Sequence, residues 1–102
     1  MSLVFTGNSM IRRLNRQFRK KDRATDVLSF PFRERGADGH YYLGDIIISV
    51  PRAFVQCGRK KTRLEKELTR LTIHGFLHLL GHDHGPEMDK EEEKLKAFFG
   101  LE

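Results

Sequence analysis

The sequence is poor in the features that mark secreted and membrane proteins. It contains one cysteine in 102 residues, so Cys57 cannot form a disulfide within the chain, which favours a reducing compartment. No stretch approaches the roughly 20 apolar residues of a transmembrane helix, and the first residues lack the basic and apolar regions of a signal peptide. We therefore expect a cytoplasmic protein. Cys57 could be a metal ligand or a reactive thiol, but a small, half-buried residue is the simpler interpretation.

Internal repeats, low-complexity tracts and a second domain are also absent from the sequence. Its length fits one domain over residues 1–102, because domains most often have about 100 to 150 residues. Strand-like and helix-like apolar patterns alternate, which predicts a compact α+β fold: a small mixed sheet packed against helices, with a central metal-binding helix. The expected strands are Leu3–Phe5, Val27–Phe32 and Tyr42–Val50. The expected helices are Ser9–Phe18, Pro51–Gln56, Thr62–Leu80 and a last one from Pro86 to a stop at Gly100.

Local signals set several of these boundaries. The segment Gly7-Asn8-Ser9 offers a side-chain oxygen to cap the first helix, and Thr62 with Glu65 has the capping-box spacing at the start of the third. Pro31 marks an edge strand or a strand end. The β-branched run Ile46–Ile48 is expected in a strand covered on both faces. The last helix is expected to bury four apolar side chains, Met88, Leu95, Phe98 and Phe99.

Positive charge is concentrated in two clusters of a chain whose formal net charge is +5. The first cluster consists of Arg12, Arg13, Arg16, Arg19, Lys20, Lys21 and Arg23. The second consists of Arg59, Lys60, Lys61, Arg63 and Lys66. Acidic residues gather instead between Glu87 and Glu93. Dense basic clusters attract polyanions and release counterions on binding, which favours a nucleic-acid partner; a solvated helix face is the alternative interpretation.

Four of the five histidines fall in one short sequence, HGFLHLLGHDH, which begins at His74. A spacing of four puts His74 and His78 on one face of an α-helix, one turn apart. Gly81 is expected to end that helix in the left-handed conformation, so that the chain turns back. Either His82 or His84 could then supply a third imidazole, and His84 is the better choice because His82 directly follows Gly81.

Three neutral imidazoles suit a zinc ion and leave a fourth tetrahedral position for water, as in catalytic sites. Half-buried helix histidines without a metal are the alternative. In H-E-x-x-H metalloproteases a glutamate base follows the first histidine, whereas this chain has Gly75, which disfavours a peptidase. Asp45 is a candidate general base or partner of a zinc-bound histidine, although a carboxylate in a strand-start turn is commoner.

Three ordered segments match the signature of one family. Residues 74–84 match H-G-x-L-H-L-x-G-x-D-H. Residues 14–31, LNRQFRKKDRATDVLSFP, match L-N-x-x-Y-R-x-x-D-x-P-T-D-V-L-S-F-P, and residues 43–49, LGDIIIS, match L-G-D-I-x-I-S. The chain thus resembles the YbeY family of bacterial endoribonucleases and ribosomal RNA maturation factors. It departs at Phe18 and Ala24, where the family has tyrosine and proline, and the family's additional front strand and helix are expected to be absent.

The resemblance implies a zinc-dependent, single-strand-specific endoribonuclease in small-subunit ribosomal RNA maturation and ribosome quality control. It implies one zinc ion on His74, His78 and His84, and a catalytic or RNA-contacting role for Arg19. The implied partners are single-stranded ribosomal RNA and a ribosomal subunit or its assembly factors. Two alternatives stay open: a non-enzymatic, zinc-stabilised RNA-binding assembly factor, or a zinc hydrolase acting on another substrate such as a peptide.

Overall fold

The computed structural model describes residues 1–82 and 85–98, apart from the side chains of residues 33 and 34. Its elements are, in chain order, β1 (Ser2–Thr6), α1 (Asn8–Arg19), β2 (Val27–Arg35), β3 (Tyr41–Ser49), α2 (Val50–Gln56), α3 (Lys61–Leu79) and α4 (Pro86–Phe98). The predicted α+β class is confirmed. Within the described residues, no helix is long and apolar enough to cross a membrane.

The sheet has three strands, with β3 in the middle. Strand β1 pairs with β3 in parallel, and β2 pairs with it antiparallel. Ile46 and Ile48 on β3 are fully buried in a core that also contains Leu71 and Leu79 of α3. Ile47, which points to the other face, is only half-buried. The predicted strand is therefore present, but its second face is covered less completely than the prediction of a strand covered on both faces requires.

Helices α1 and α3 lie on opposite faces of this sheet. Side chains alternate along a strand, so Ser29 and Phe30 of β2 point in opposite directions. The Ser29 hydroxyl donates a hydrogen bond to the Gly75 carbonyl of α3 at 3.1 Å. The Phe30 ring meets Phe18 of α1 edge to face, with ring centroids 5.4 Å apart. The edge strand β2 thus packs against α3, which carries the histidine pair, on one face and against α1, which ends at Arg19, on the other.

Strand β2 runs beyond its predicted end. Pro31 does not stop it, because β2 is an edge strand and its pairing with β3 shifts register between Pro31 and Glu34, which accommodates the missing donor. The prediction of an edge strand is therefore correct, and the predicted end at Phe32 is wrong.

Both predicted side-chain caps are wrong. Helix α1 starts after Gly7 without a side-chain cap, because the Asn8 side chain is used elsewhere: it accepts a hydrogen bond from the Ser49 hydroxyl at 2.6 Å. Helix α3 starts one residue earlier than expected, after Lys60, and also lacks a side-chain cap. Thr62 therefore already lies inside the first turn, where its hydroxyl cannot act as an N-cap.

Helix α4 packs on α3 through a small second core. Met88 is buried against Ile73 and Leu77, and Leu95 packs at its edge. Phe98 is 82% exposed, so the prediction that it is buried is wrong; the described contacts of α4 with this core are those of Met88 and Leu95. The predicted burial of Phe99 and the predicted stop at Gly100 fall outside the described residues.

Candidate metal centre and RNA groove

The histidine pair lies near the C-terminal end of α3. The Nε2 atoms of His74 and His78 are 3.2 Å apart, and the two rings meet nearly edge to face with centroids 4.7 Å apart. Two imidazoles bound to one tetrahedral zinc ion at about 2.0–2.1 Å would hold their nitrogens about 3.3 Å apart. The predicted shared face is therefore present, with a spacing that fits two ligands of one ion.

The outer nitrogens of both rings face oxygen atoms. Nδ1 of His78 lies 3.0 Å from the His82 carbonyl oxygen. Because that oxygen can only accept, Nδ1 carries the proton and Nε2 keeps its lone pair. Nδ1 of His74 lies 3.7 Å from Oε1 of Glu92 on α4. Outer partners of this kind are typical of metal-binding histidines.

The turn after α3 explains how His82 reaches the pair. Gly81 has a φ of 95°, and the amides of Gly81 and His82 donate to the His78 and Leu77 carbonyls. The predicted helix stop at Gly81 is thus correct. This reversal brings the His82 carbonyl, rather than its ring, to His78.

The third ligand predicted at His84 lies outside the described residues. Within residues 1–82 and 85–98, no three His, Cys, Asp or Glu side chains are close enough together to hold a metal ion. The His82 ring therefore does not complete the site with His74 and His78. His84 therefore stays the predicted third ligand.

Gly75 packs directly against the central strand. A Cβ atom at this position would lie 2.8 Å from Cγ2 of Ile46 and 3.1 Å from the Ser29 hydroxyl oxygen. Ile46 is fully buried, so it cannot move aside easily. A glutamate at this position, as in the metalloproteases, would collide with the sheet. The glycine is thus explained by close packing of helix on sheet.

Replacing Gly75 with alanine is expected to lower the free energy of unfolding by up to about 2 kcal/mol. Overpacking a tight core costs about 1–3 kcal/mol, and the higher helix propensity of alanine offsets about 1 kcal/mol of that. Urea unfolding followed by circular dichroism measures the difference. If alanine instead stabilised the protein by about 1 kcal/mol, as in an open helix position, the packing argument would be wrong.

The histidine pair opens into a groove of about 830 Å³ between α3, β2 and the segment that follows α1. We call it the histidine groove. Three residues of the first basic cluster line it, Arg19, Lys21 and Arg23, together with Asp26 and Ser29. The structure thus divides that cluster: Arg12 does not line the groove and is paired with Asp22 at 2.9 Å. A basic wall beside a metal-ligand pair is suited to binding a phosphate diester.

Asn15 holds the basic wall in position, and sequence reasoning missed it. It is 3% exposed, and its side-chain amide donates to the Arg23 carbonyl at 2.9 Å. Its own carbonyl accepts from the Lys21 amide at 3.2 Å, after Lys20 turns the chain with a φ of 58°. The available signal was a polar residue four positions after the buried Ile11, on the inward face of α1.

Two other candidate residues lie outside the histidine groove. The Asp45 carboxylate accepts hydrogen bonds from the hydroxyls of Ser2, at 2.5 Å, and Tyr42. These bonds, that from Ser2 first, lower its pKa, and they tie β1 to β3. Its predicted role as a base or histidine partner is therefore not supported.

Cys57 is buried with its thiol toward the carbonyls of Phe54 and Lys60, in agreement with its interpretation as a small packing residue.

Comparison with known proteins gives one consistent result. The family profile described as Endoribonuclease YbeY matches residues 1–98. An endoribonuclease YbeY from Oceanobacillus iheyensis is 44% identical, with 100% of this chain and 75% of the relative covered. One from Moorella thermoacetica is 43% identical, with 99% and 73% covered. This chain thus spans about three quarters of the length of these relatives.

The fold also resembles a solved structure. The solution structure of a Thermotoga maritima protein matches with a TM-score of 0.60 and 34% sequence identity. The match covers 90% of this chain and 62% of the other. The fold of this chain therefore has a counterpart in a solved structure.

Proposed function

This chain belongs to the YbeY family of endoribonucleases, and from that premise we propose that it is a zinc-dependent endoribonuclease that cuts single-stranded RNA. One observation supports the proposal above all others. The two Nε2 atoms, 3.2 Å apart, open into a groove that Arg19, Lys21 and Arg23 line. Such a groove combines a place for a metal ion with positive charge for the phosphates beside it.

We propose His74, His78 and His84 as the zinc ligands. When bound, zinc supplies a Lewis acid that polarises a phosphoryl oxygen or makes a bound water nucleophilic near neutral pH. The protein orients its own ligands: the His82 carbonyl holds the His78 ring, and Glu92 faces the outer nitrogen of His74. Arg19 is proposed to neutralise the charge that develops on the phosphate.

The substrate class follows from the family and from charge. The relatives are named endoribonucleases, and a basic groove accommodates a flexible single strand more readily than a duplex. We further propose ribosomal RNA as the substrate, in maturation of the small subunit and in ribosome quality control, with a ribosomal subunit or its assembly factors as partners. Such a substrate implies a cytoplasmic location.

A peptidase is the less favoured alternative, because the close packing of Gly75 on Ile46 leaves no place for the glutamate base of that class. A protein that only binds RNA, with zinc as a structural ion, would have the same groove. Only an assay of RNA cleavage distinguishes this second alternative from the proposed endoribonuclease.

The test combines metal analysis with cleavage. The purified protein is expected to contain one zinc ion per chain and to cut labelled single-stranded RNA but neither duplex RNA nor casein. A chelator should remove the activity and added zinc should restore it. Zinc-loaded protein that binds RNA but does not cut it would overturn the proposal in favour of the binding factor, and cleavage of casein would support the peptidase.

A further inference from the structure

We infer that a second groove, formed by the end of α2, the first half of α3 and Lys96 of α4, is a phosphate-binding subsite for the same RNA strand. We call it the distal groove. The inference rests on the proposed function, and it adds a binding site away from the reacting phosphate. The groove encloses about 430 Å³, and four cations line it against one carboxylate: Arg63, Lys66, Arg70 and Lys96 against Glu67.

Two of these cations are available to a ligand. Arg70 is held by Glu67, with contacts of 2.5 and 3.2 Å between the guanidinium and both carboxylate oxygens. Lys96 is paired with Glu93 at 3.3 Å. Arg63 and Lys66 are exposed and form no ion pair with any residue in the described part of the chain. Their charge is therefore free to bind phosphate.

The distal groove is aligned with the histidine pair. Arg63, Arg70, His74 and His78 follow one another along α3 at spacings of seven, four and four residues, which puts them on one face of the helix. Arg63 precedes His74 by eleven residues, or about 16 Å along the helix axis at 1.5 Å per residue. A strand that follows this face passes from one groove into the other.

The two grooves also meet at a direct contact. Asp26 lines the histidine groove, Gln56 lines the distal groove, and the Gln56 amide donates to the Asp26 carboxylate at 3.3 Å. The same carboxylate accepts from the Val27 amide at 2.8 Å, so its charge is partly satisfied by the protein. The linings of the two grooves are thus joined by a hydrogen bond between two side chains.

RNA is the occupant that these features favour. Single-strand-binding modules cover about 4–16 nucleotides, so even a short bound strand extends beyond the phosphate at the histidine pair. Arg63, on the same helix face as the histidine pair, and Lys66, its neighbour one turn further on, provide charge for the phosphates farther along. Binding of an acidic protein would not require these cations to be aligned with the histidine pair, whereas binding of one RNA strand to both grooves does.

The test compares the double variant Arg63→Gln, Lys66→Gln with the natural chain. Binding of a non-cleavable, 2′-O-methylated single strand of about 12 nucleotides is measured over a range of salt concentrations. Loss of two phosphate contacts should flatten the plot of log affinity against log salt by about 1.4, at about 0.7 per contact. Binding of a trinucleotide should change much less, because it is too short to span both grooves.

The matched control is the double variant Arg35→Gln, Lys90→Gln. It removes the same charges from exposed residues that line neither groove. An unchanged salt slope in the Arg63 and Lys66 variant overturns the inference and favours an acidic protein as partner. An equal loss in the control, or for the trinucleotide, also overturns it. Absence of cleavage by a natural chain that keeps the steep salt slope would refute the proposed function and leave the subsite supported.

Discussion

Protein in which His78 is replaced with alanine is expected to purify without zinc and without RNA cleavage. The change removes one of the three proposed ligands and breaks the pair of nitrogens that face each other at 3.2 Å, so the two ligands that remain should no longer retain the ion through purification. Loss of an outer partner alone weakens metal binding or activity by about 10–100-fold, so loss of a ligand should exceed about 100-fold in both. Elemental analysis of the purified protein and the rate of cleavage of labelled RNA measure the two effects.

The fold should survive this change, because alanine is the best helix former and His78 is only half-buried. Circular dichroism can verify that. His40→Ala is the matched control: His40 is an exposed histidine between β2 and β3, so this variant should keep full zinc and full activity. A His78 variant with stoichiometric zinc and normal cleavage would refute the metal centre.

The parts of the site that the sequence could predict are those governed by short-range geometry. The spacing of His74 and His78 on one helix and the stop at Gly81 depend on residues that are close in sequence, and α3 is long enough for its period to be unambiguous. The packing of Gly75 is different. Its glycine was noted as the absence of a base, but its reason, contact with Ile46 across the helix and sheet interface, is a tertiary contact that no local pattern contains.

The residues that contact the histidine pair from other parts of the chain could not be predicted for the same reason. Glu92 lies on another helix, and its approach to His74 depends on how α4 folds back onto α3. The sequence places it only within the acidic stretch between Glu87 and Glu93. The predicted cap of α1 is wrong because the Asn8 side chain accepts a hydrogen bond from Ser49 of β3, a tertiary contact that local rules for helix starts do not include. The contact of Asp45 with Ser2, on a strand 43 residues away in sequence, is likewise absent from any local pattern, so the sequence alone leaves a chemical role for Asp45 open.

Replacement of Arg19 with alanine is expected to leave zinc content unchanged and to lower kcat for RNA cleavage by about 10²–10³-fold, the usual effect of removing one group that stabilises charge in a transition state. Arg19 lines the groove with the histidine pair but supplies no metal ligand. It is the last residue of α1, and the bonds from Asn15 to the following segment hold that end of the helix beside the groove.

The loss should fall mainly on kcat, because neighbouring Lys21 and Arg23 still attract the RNA strand. Arg19→Lys should recover only part of the rate, since an ammonium group cannot form the two parallel hydrogen bonds that a guanidinium offers to a phosphate. Arg13→Ala serves as the control, because Arg13 lies on α1 but does not line the histidine groove. If the Arg19 variants changed KM alone, or Arg13→Ala lost as much kcat, Arg19 would be one more surface cation that attracts RNA and not a residue that acts on the reacting phosphate.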